Sequence, residues 1–182
     1  MTPTHLPGRP AIPTLPTVLD TFNSAPVEEA HKVLLDCLRS HRWADRVSVH
    51  RPYPDVASLL AASDEAAYDL SPGDLAEALA AESLPTLPDG AYSAAHMAMS
   101  AAHAAYESKF GHAFVICLDG VPPTEALDHV LEGIRSRLTN DPEDERVVAA
   151  EELRRLAKQR LAARFRGAGS CAASPDGAAP GR

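Results

Sequence analysis

The stretch that decides the fold is His103-Ala-Ala-Tyr-Glu-Ser-Lys-Phe-Gly-His-Ala-Phe-Val-Ile-Cys117, where a glycine joins a helical pattern to a short apolar run. Aromatic, histidine and methionine side chains recur here and upstream at the three- and four-residue steps of one helical face: Tyr92, His96, Met99, His103, Tyr106 and Phe110. Gly111 is expected to end the helix, because glycine readily adopts the left-handed conformation found at many helix ends. We therefore expect any functional site to lie near this helix and its exit.

The composition predicts a single helical domain. The chain has 182 residues, enough for one domain with its own core and small for two. Alanine is abundant and β-branched residues are scarce, which favours helices. Residues 114–117 form the one candidate strand, and a single short strand cannot make a sheet. The predicted fold class is all-α, a single-domain bundle of about eight helices.

Several functional classes are disfavoured by charge and hydropathy. The formal net charge is −8 with no basic run, so no nucleic-acid partner is expected. No apolar stretch is long enough to cross a bilayer, so no membrane association is expected either. The three cysteines are widely separated, which favours reduced thiols in a cytoplasmic protein.

Helix start and stop signals give the domain boundaries. Residues 1–14 are proline-rich and are expected to form a flexible N-terminal arm, while 167–182 are expected to be a disordered tail. Between them, residues 15–166 form the predicted domain. Ser24 is expected to cap the second helix, and Ser71 a later helix in a capping-box pattern with Asp74. The core stripe predicted for the last helix is Ala150, Leu153, Ala157, Leu161 and Phe165.

Three polar side chains stand out as candidates for chemistry. Glu82 follows Leu79 by three residues, so a continuing helix would turn its carboxylate towards the core, where a raised pKa suits an acid or base. The alternative is a solvated side chain at a frayed helix end. His96 and His103 are seven residues apart, about 10.5 Å along a helix, too far to share one metal ion. Either histidine could instead be a core imidazole bonded to a carbonyl or a tyrosine. No metal site is expected.

Eight features of the sequence, in order, carry a family resemblance: Leu19-Asp-Thr-Phe-Asn23, Cys37-Leu-Arg-Ser-His-Arg-Trp43, Arg51-Pro-Tyr-Pro54, Leu75-Ala-Glu-Ala-Leu-Ala-Ala81, Ala105-Tyr-Glu-Ser-Lys-Phe-Gly111, Phe114-Val-Ile-Cys117, Arg137-Leu-Thr-Asn-Asp141 and Glu145. Together they resemble the 2-oxo-4-hydroxy-4-carboxy-5-ureidoimidazoline (OHCU) decarboxylase family, which acts in urate breakdown. The resemblance spans residues 15–165, and Tyr-x-x-Lys-Phe-Gly is its most specific part. It implies an all-α enzyme of purine metabolism, commonly a homodimer, that acts on a small-molecule substrate without metal or organic cofactor.

The family's chemistry removes a carboxylate from a ureidoimidazoline and protonates the resulting carbanion stereospecifically to give (S)-allantoin. The family places a histidine in a His-Pro-x-Ile-Gly motif and a glutamate in a Ser-x-x-Glu-Gln motif. An imidazole that holds the departing carboxylate, and a carboxylate that orients ring and ureido N–H groups, form an electrostatic site for this reaction. The resemblance therefore implies an acid and an imidazole in one pocket.

This chain departs from both motifs. Glu82 stands where the family has its histidine, His96 stands at the glutamate position, and His103 replaces the usual asparagine before Tyr106. Glu82 and His96 would keep one acid and one imidazole with their positions exchanged. The candidate site residues are, for catalysis, Glu82, His96 and His103, and, for substrate binding, Ser93, Tyr106 and Ile116.

Three functions are compatible with the sequence. The first is a cofactor-independent carbon-carbon lyase resembling OHCU decarboxylase. The second is a diverged decarboxylase, cyclase or isomerase that acts on a different small acid in a biosynthetic pathway. The third is a non-catalytic helical protein that binds a ligand or partner. Titration of His96 and His103 separates them, because imidazoles with shifted pKa values in an open pocket favour an enzyme and buried, silent imidazoles favour the third function.

Overall fold

Eight α-helices account for most of the chain that this computed structural model describes, residues 16–83 and 93–166. They are α1 (Val18–Ser24), α2 (Val27–Leu35), α3 (His41–Val49), α4 (Val56–Tyr68), α5 (Pro72–Ala80), α6 (Ser93–Phe110), α7 (Ala126–Arg137) and α8 (Pro142–Arg166). No strand occurs in the described ranges, and the predicted all-α class is confirmed. The predicted arm 1–14 and tail 167–182 lie outside the described residues. None of the helices described is both long enough and apolar enough to span a bilayer.

Side-chain caps fix where several helices begin. Ser71 and Asp74 form the predicted capping box at the start of α5, with Pro72 in the first turn. The expectation for Ser24 was wrong, because Pro26 occupies the N-cap of α2 and makes no side-chain bond there. Ser24 is instead the last residue of α1, and its hydroxyl donates to the Asp20 carbonyl at 2.8 Å. A serine hydroxyl makes this backward bond readily, which removes it from the next cap.

Two groups of buried apolar side chains form the interior. The larger joins α1 to α5 with α8 and surrounds Trp43, which is fully buried and donates to the Ser63 carbonyl at 3.0 Å. The smaller joins α6, α7 and the apolar run after α6. On α8 the predicted stripe holds except at its start, where Ala149 is buried and Ala150 is half-buried. The apolar stripe of α8 therefore begins one residue earlier than the spacing predicted.

The apolar run after α6 is extended chain held by side chains rather than by a sheet. Gly111 ends α6 with a φ of 76°, as predicted. The Val115 carbonyl accepts from Arg137 at 2.6 Å, and the Cys117 N–H donates to Glu152 at 2.7 Å. These bonds satisfy backbone groups that a neighbouring strand would otherwise pair. Gly133 lets α7 pack closely, since a Cβ there would lie 3.1 Å from the Ile116 side chain.

A buried ion pair ties α6, α7 and α8 together. The Arg137 Nε donates to Glu145 Oε1 at 2.8 Å, and the side chains of Arg137 and Glu145 are 8% and 0% exposed. The Tyr106 hydroxyl donates to the same carboxylate, and Asn140 Nδ2 donates to its other oxygen at 2.9 Å. Burial raises the pKa of the Tyr106 phenol, so it stays a hydrogen-bond donor. Each group of the pair is therefore neutralised and hydrogen-bonded.

Replacing Glu145 tests how much the domain depends on this pair. Glu145→Gln keeps the shape but leaves the Arg137 guanidinium buried without a counter-charge, so we expect the free energy of unfolding to fall by about 3–5 kcal/mol. Urea-induced unfolding measures it. The control is Glu132→Gln, which removes the partner of Arg135 in an exposed pair and should change little. An equal, small change in both variants would contradict the importance of the buried pair.

Candidate functional site

Glu82 lies just past the end of α5 and is held by an arginine from α8. Its N–H donates to the Leu79 carbonyl at 3.3 Å, which extends the last turn of the helix. The carboxylate accepts from both terminal nitrogens of Arg160, each at 2.8 Å. The Glu82 side chain is only 6% exposed. Glu82 therefore faces the interior, as one of the two sequence expectations had it, and it is paired rather than solvated.

Arg160 uses only part of its hydrogen-bonding capacity on Glu82. Its Nη1 also donates to the Cys37 carbonyl at 3.0 Å, so three of the five N–H groups of a guanidinium are engaged. The remaining two, on Nε and Nη2, lie along one side of the planar group and are called here the open edge of Arg160. Within the described residues no acceptor is bonded to this edge, and the side chain is 36% exposed. Two parallel N–H groups match the two oxygens of a carboxylate.

Besides Glu82, two thiols lie near Arg160, those of Cys37 and Cys117. Bonding to Glu82 raises the pKa of the Arg160 guanidinium, so its positive charge is permanent. Burial raises the pKa of the Cys37 thiol to about 11, which keeps that thiol neutral. Further round α8, the Cys117 thiol lies 3.6 Å from Gln159 Oε1, beside a cavity of about 320 Å³ that Lys158 also lines. Three basic residues, Arg155, Lys158 and Arg166, and one acid, Asp119, line that cavity, so its charge favours an anionic ligand.

The two candidate histidines of α6 have different environments. His103 is 3% exposed, and its ring centroid lies 6.0 Å from that of Phe114. Neither ring nitrogen has a hydrogen-bond partner among residues 16–83 and 93–166. Burial lowers the pKa of this imidazole, so it is neutral near neutral pH. His96, two turns earlier, is exposed. The two histidines of α6 therefore do not share one environment.

Two of the remaining three candidates have packing roles in the described structure. Tyr106 belongs to the buried pair of Arg137 and Glu145, and Ile116 is half-buried near Gly133. Ser93 is the first residue of α6, and its side chain lies outside what the structure describes. In the described ranges no hydrogen bond joins any two of Glu82, His96 and His103. Nor do three histidine, cysteine or acidic side chains there meet closely enough to hold a metal ion.

Sequence reasoning missed Arg160, the partner of Glu82. The basic residues late in α8 were interpreted as a favourable match to the helix dipole, and Arg160 was counted with them. The spacing did contain a signal, because Arg160 follows Leu153 by seven residues and Ala157 by three. Those intervals place it beside the core stripe, where a charged side chain needs a partner.

The family model for OHCU decarboxylase matches residues 23–96 and 86–162, most of the chain. The chain belongs to the OHCU decarboxylase family. The resemblance inferred from the sequence is thereby confirmed, and it covers both Glu82 and Arg160.

Two solved structures share the fold. One, an OHCU decarboxylase in the presence of (S)-allantoin, is 21% identical, with a TM-score of 0.63 over 78% of this chain and 99% of its own. The other, an (S)-allantoin synthase, is 21% identical with a TM-score of 0.62, over 81% of this chain. This chain spans about half of that protein, 54% of its length. No curated protein is similar enough to this chain to count as a relative.

The burial of His103 predicts a distinctive pH dependence of stability. The unfolded imidazole takes up a proton at about pH 6.5, while the folded one resists protonation, so the unfolded state binds more protons as the pH falls. The free energy of unfolding is therefore highest above about pH 6.5, and it decreases as the pH falls below this value because of His103. Between about pH 8 and about pH 5 the wild type should lose more unfolding free energy than His103→Leu.

The control is His96→Leu, a change at an exposed position of the same helix, which should keep the wild-type pH dependence. Equal pH dependence in wild type and His103→Leu would contradict a buried, neutral His103.

Proposed function

We propose that this member of the OHCU decarboxylase family is a cofactor-independent carbon-carbon lyase that acts on a small ureido or imidazoline acid. The observation that supports this most is the Glu82–Arg160 pair, in which one side of the guanidinium is fixed and the open edge of Arg160 faces away from it. The proposed substrate is the family's ureidoimidazoline, with (S)-allantoin as product. The proposal includes the homodimer common in the family and a cytoplasmic location.

In the proposed complex the substrate carboxylate binds the open edge of Arg160. Loss of CO2 breaks the carbon-carbon bond and leaves its electron pair on the ring carbon, so negative charge moves from the carboxylate into the ring. An isolated guanidinium would stabilise the starting carboxylate and oppose this shift. Glu82 offsets part of that attraction, because its own negative charge lies on the same guanidinium. The pair can therefore position the carboxylate without stabilising its charge too strongly. This matters because a reaction step is accelerated only by interactions that stabilise the transition state more than the bound substrate.

The other proposed roles belong to Glu82 and His96. The Glu82 oxygens keep lone pairs that can accept N–H groups of the ring or ureido chain and orient the substrate. The carbanion then needs a proton delivered to one face. His96 aligns with the family's acidic position in the resemblance and is exposed, so His96 is the proposed proton donor. His103, buried and neutral, is given a packing role against Phe114.

A second candidate function is a non-catalytic protein that binds a small acid. It is favoured by the state of His103, whose burial keeps it neutral, and by the Glu82 carboxylate that already neutralises Arg160. Both functions use the same carboxylate-binding edge, so binding alone does not separate them. A diverged enzyme would also bind there and would turn over a different small acid.

The decisive assay supplies freshly generated ureidoimidazoline and follows (S)-allantoin by circular dichroism. A lyase should accelerate appearance of the (S) signal over the spontaneous reaction, in proportion to the amount of protein. Product formed at the spontaneous rate, with unchanged racemic composition, would overturn the proposed activity on this substrate.

A pair of matched variants tests the role of Glu82. Glu82→Gln keeps the shape of the side chain but removes the charge that balances Arg160, and we expect kcat/KM to fall about 100-fold. The control is Asp64→Asn, which removes a charged partner of Arg154. Arg154 is on α8, as Arg160 is, but away from the site. Melting temperatures of both variants show whether each is folded. Similar losses of kcat/KM in the two folded variants would contradict a role for Glu82 in the reaction.

A further inference from the structure

A second cavity lies along the other half of α8. It has a volume of about 570 Å³, within the usual range for sites that bind small organic molecules. A smaller cavity of about 260 Å³ adjoins it, and the two share the residues Pro72, Leu75 and Arg146. The two together are called here the Arg146 cavity. Arg146 and Arg160 are fourteen residues apart on α8, roughly 21 Å along its axis, so this cavity is separate from the Glu82–Arg160 site.

The walls of the Arg146 cavity are largely apolar and include exposed side chains. Leu70, Leu75 and Ala150 line its inner part. Tyr68 and Val147 line it too, although their exposed fractions are 69% and 71%. Large apolar side chains that stay exposed around a concavity are typical of a binding surface.

The Tyr68 ring is held in place by a cation. The Arg154 guanidinium lies 4.7 Å from the ring centroid, and Arg154 is itself fixed by Asp64 and Glu151. This cluster holds one face of the ring, while the side chain as a whole stays exposed. A fixed aromatic ring favours an aromatic ligand, which gains from stacking or edge-to-face contact beyond simple burial.

The lining of the Arg146 cavity carries charges of both signs, Arg146 and Arg154 against Glu143 and Glu151. Arg154 and Glu151 neutralise each other within the wall. Among the described residues no carboxylate forms an ion pair with Arg146, which borders both parts of the cavity. Glu143 is the other lining charge without an ion pair there, and its negative charge disfavours ligands with several negative charges. A ligand with a single carboxylate therefore fits the lining better than a phosphate ester.

We infer that the Arg146 cavity binds an aromatic monocarboxylate, with its ring against Tyr68 and its carboxylate on Arg146. This inference is independent of the proposed lyase activity, because it uses neither Glu82 nor Arg160. Such a site gives the protein a second ligand, distinct in chemistry from a hydrophilic ureido acid.

Binding of naphthoate to the full chain, measured by calorimetry, tests the inference. The matched uncharged probe is naphthalenemethanol, which should bind the wild type more weakly. Arg146→Gln should weaken naphthoate binding about 10-fold or more and leave the alcohol unaffected, since a charge-assisted bond is lost. Val147→Glu, a change at an exposed position, should weaken naphthoate by placing a negative charge beside its carboxylate. Arg164→Gln, an exposed arginine near the far end of α8, is the control and should bind as the wild type does.

Three results would overturn the inference. They are no naphthoate binding at millimolar concentration, equal affinity for naphthoate in wild type and Arg146→Gln, and naphthoate-induced amide shifts centred on Cys117 and Arg160. Amide shifts centred on the end of α4 and the first half of α8 support it. Because Arg146 and Val147 are both exposed, the variants are expected to stay folded, and their melting temperatures check this.

Discussion

The ion pair between Arg137 and Glu145 is the interaction on which the second half of the domain depends. It joins α7 to α8, receives the Tyr106 hydroxyl from α6, and binds the Val115 carbonyl of the extended run. A buried pair of this kind stabilises only when all its partners are present, because each charge alone would be costly to bury. The conspicuous Tyr-x-x-Lys-Phe-Gly segment is therefore scaffold. Lys109 fits this interpretation, since it donates to the carbonyls of Leu138 and Asn140, in the connection between α7 and α8.

Three arginines along α8 have different surroundings, and the scaffold described above fixes their positions. Near its start Arg146 borders an apolar cavity, in its middle Arg154 braces Tyr68, and further along Arg160 holds Glu82. Arg160 differs from Arg154 in having a more deeply buried partner, since the Glu82 side chain is 6% exposed and that of Asp64 is 26% exposed. Where the resemblance to the family implies an imidazole, this chain has Glu82, which is paired with Arg160. The proposed chemistry follows from that exchange, since the negative charge of Glu82 offsets part of the attraction between Arg160 and a substrate carboxylate.

Much of the fold follows from local sequence signals, and less of the site does. The capping box at Ser71 and the stop at Gly111 were predictable because each depends on a few neighbouring residues. The inward direction of Glu82 was one of two open alternatives, and the bidentate bond to Arg160 decides between them. The partner itself was missed because it is seventy-eight residues away, and its charge also suited the helix dipole. That the His103 ring nitrogens have no hydrogen-bond partner among the described residues depends on tertiary packing, which spacing on one helix cannot reveal.

The central claim is that the open edge of Arg160 receives a substrate carboxylate while Glu82 stays bound to the other side. It is tested most directly by NMR of protein labelled with nitrogen-15 arginine, with the Arg160 Nε–H signal assigned from Arg160→Lys. Titration with hydantoin acetate, a stable ring that carries a carboxylate, should shift and saturate this signal and leave those of Arg137 and Arg154 unchanged. An Arg160 signal that does not move while hydantoin acetate binds elsewhere, or does not bind, would contradict the account.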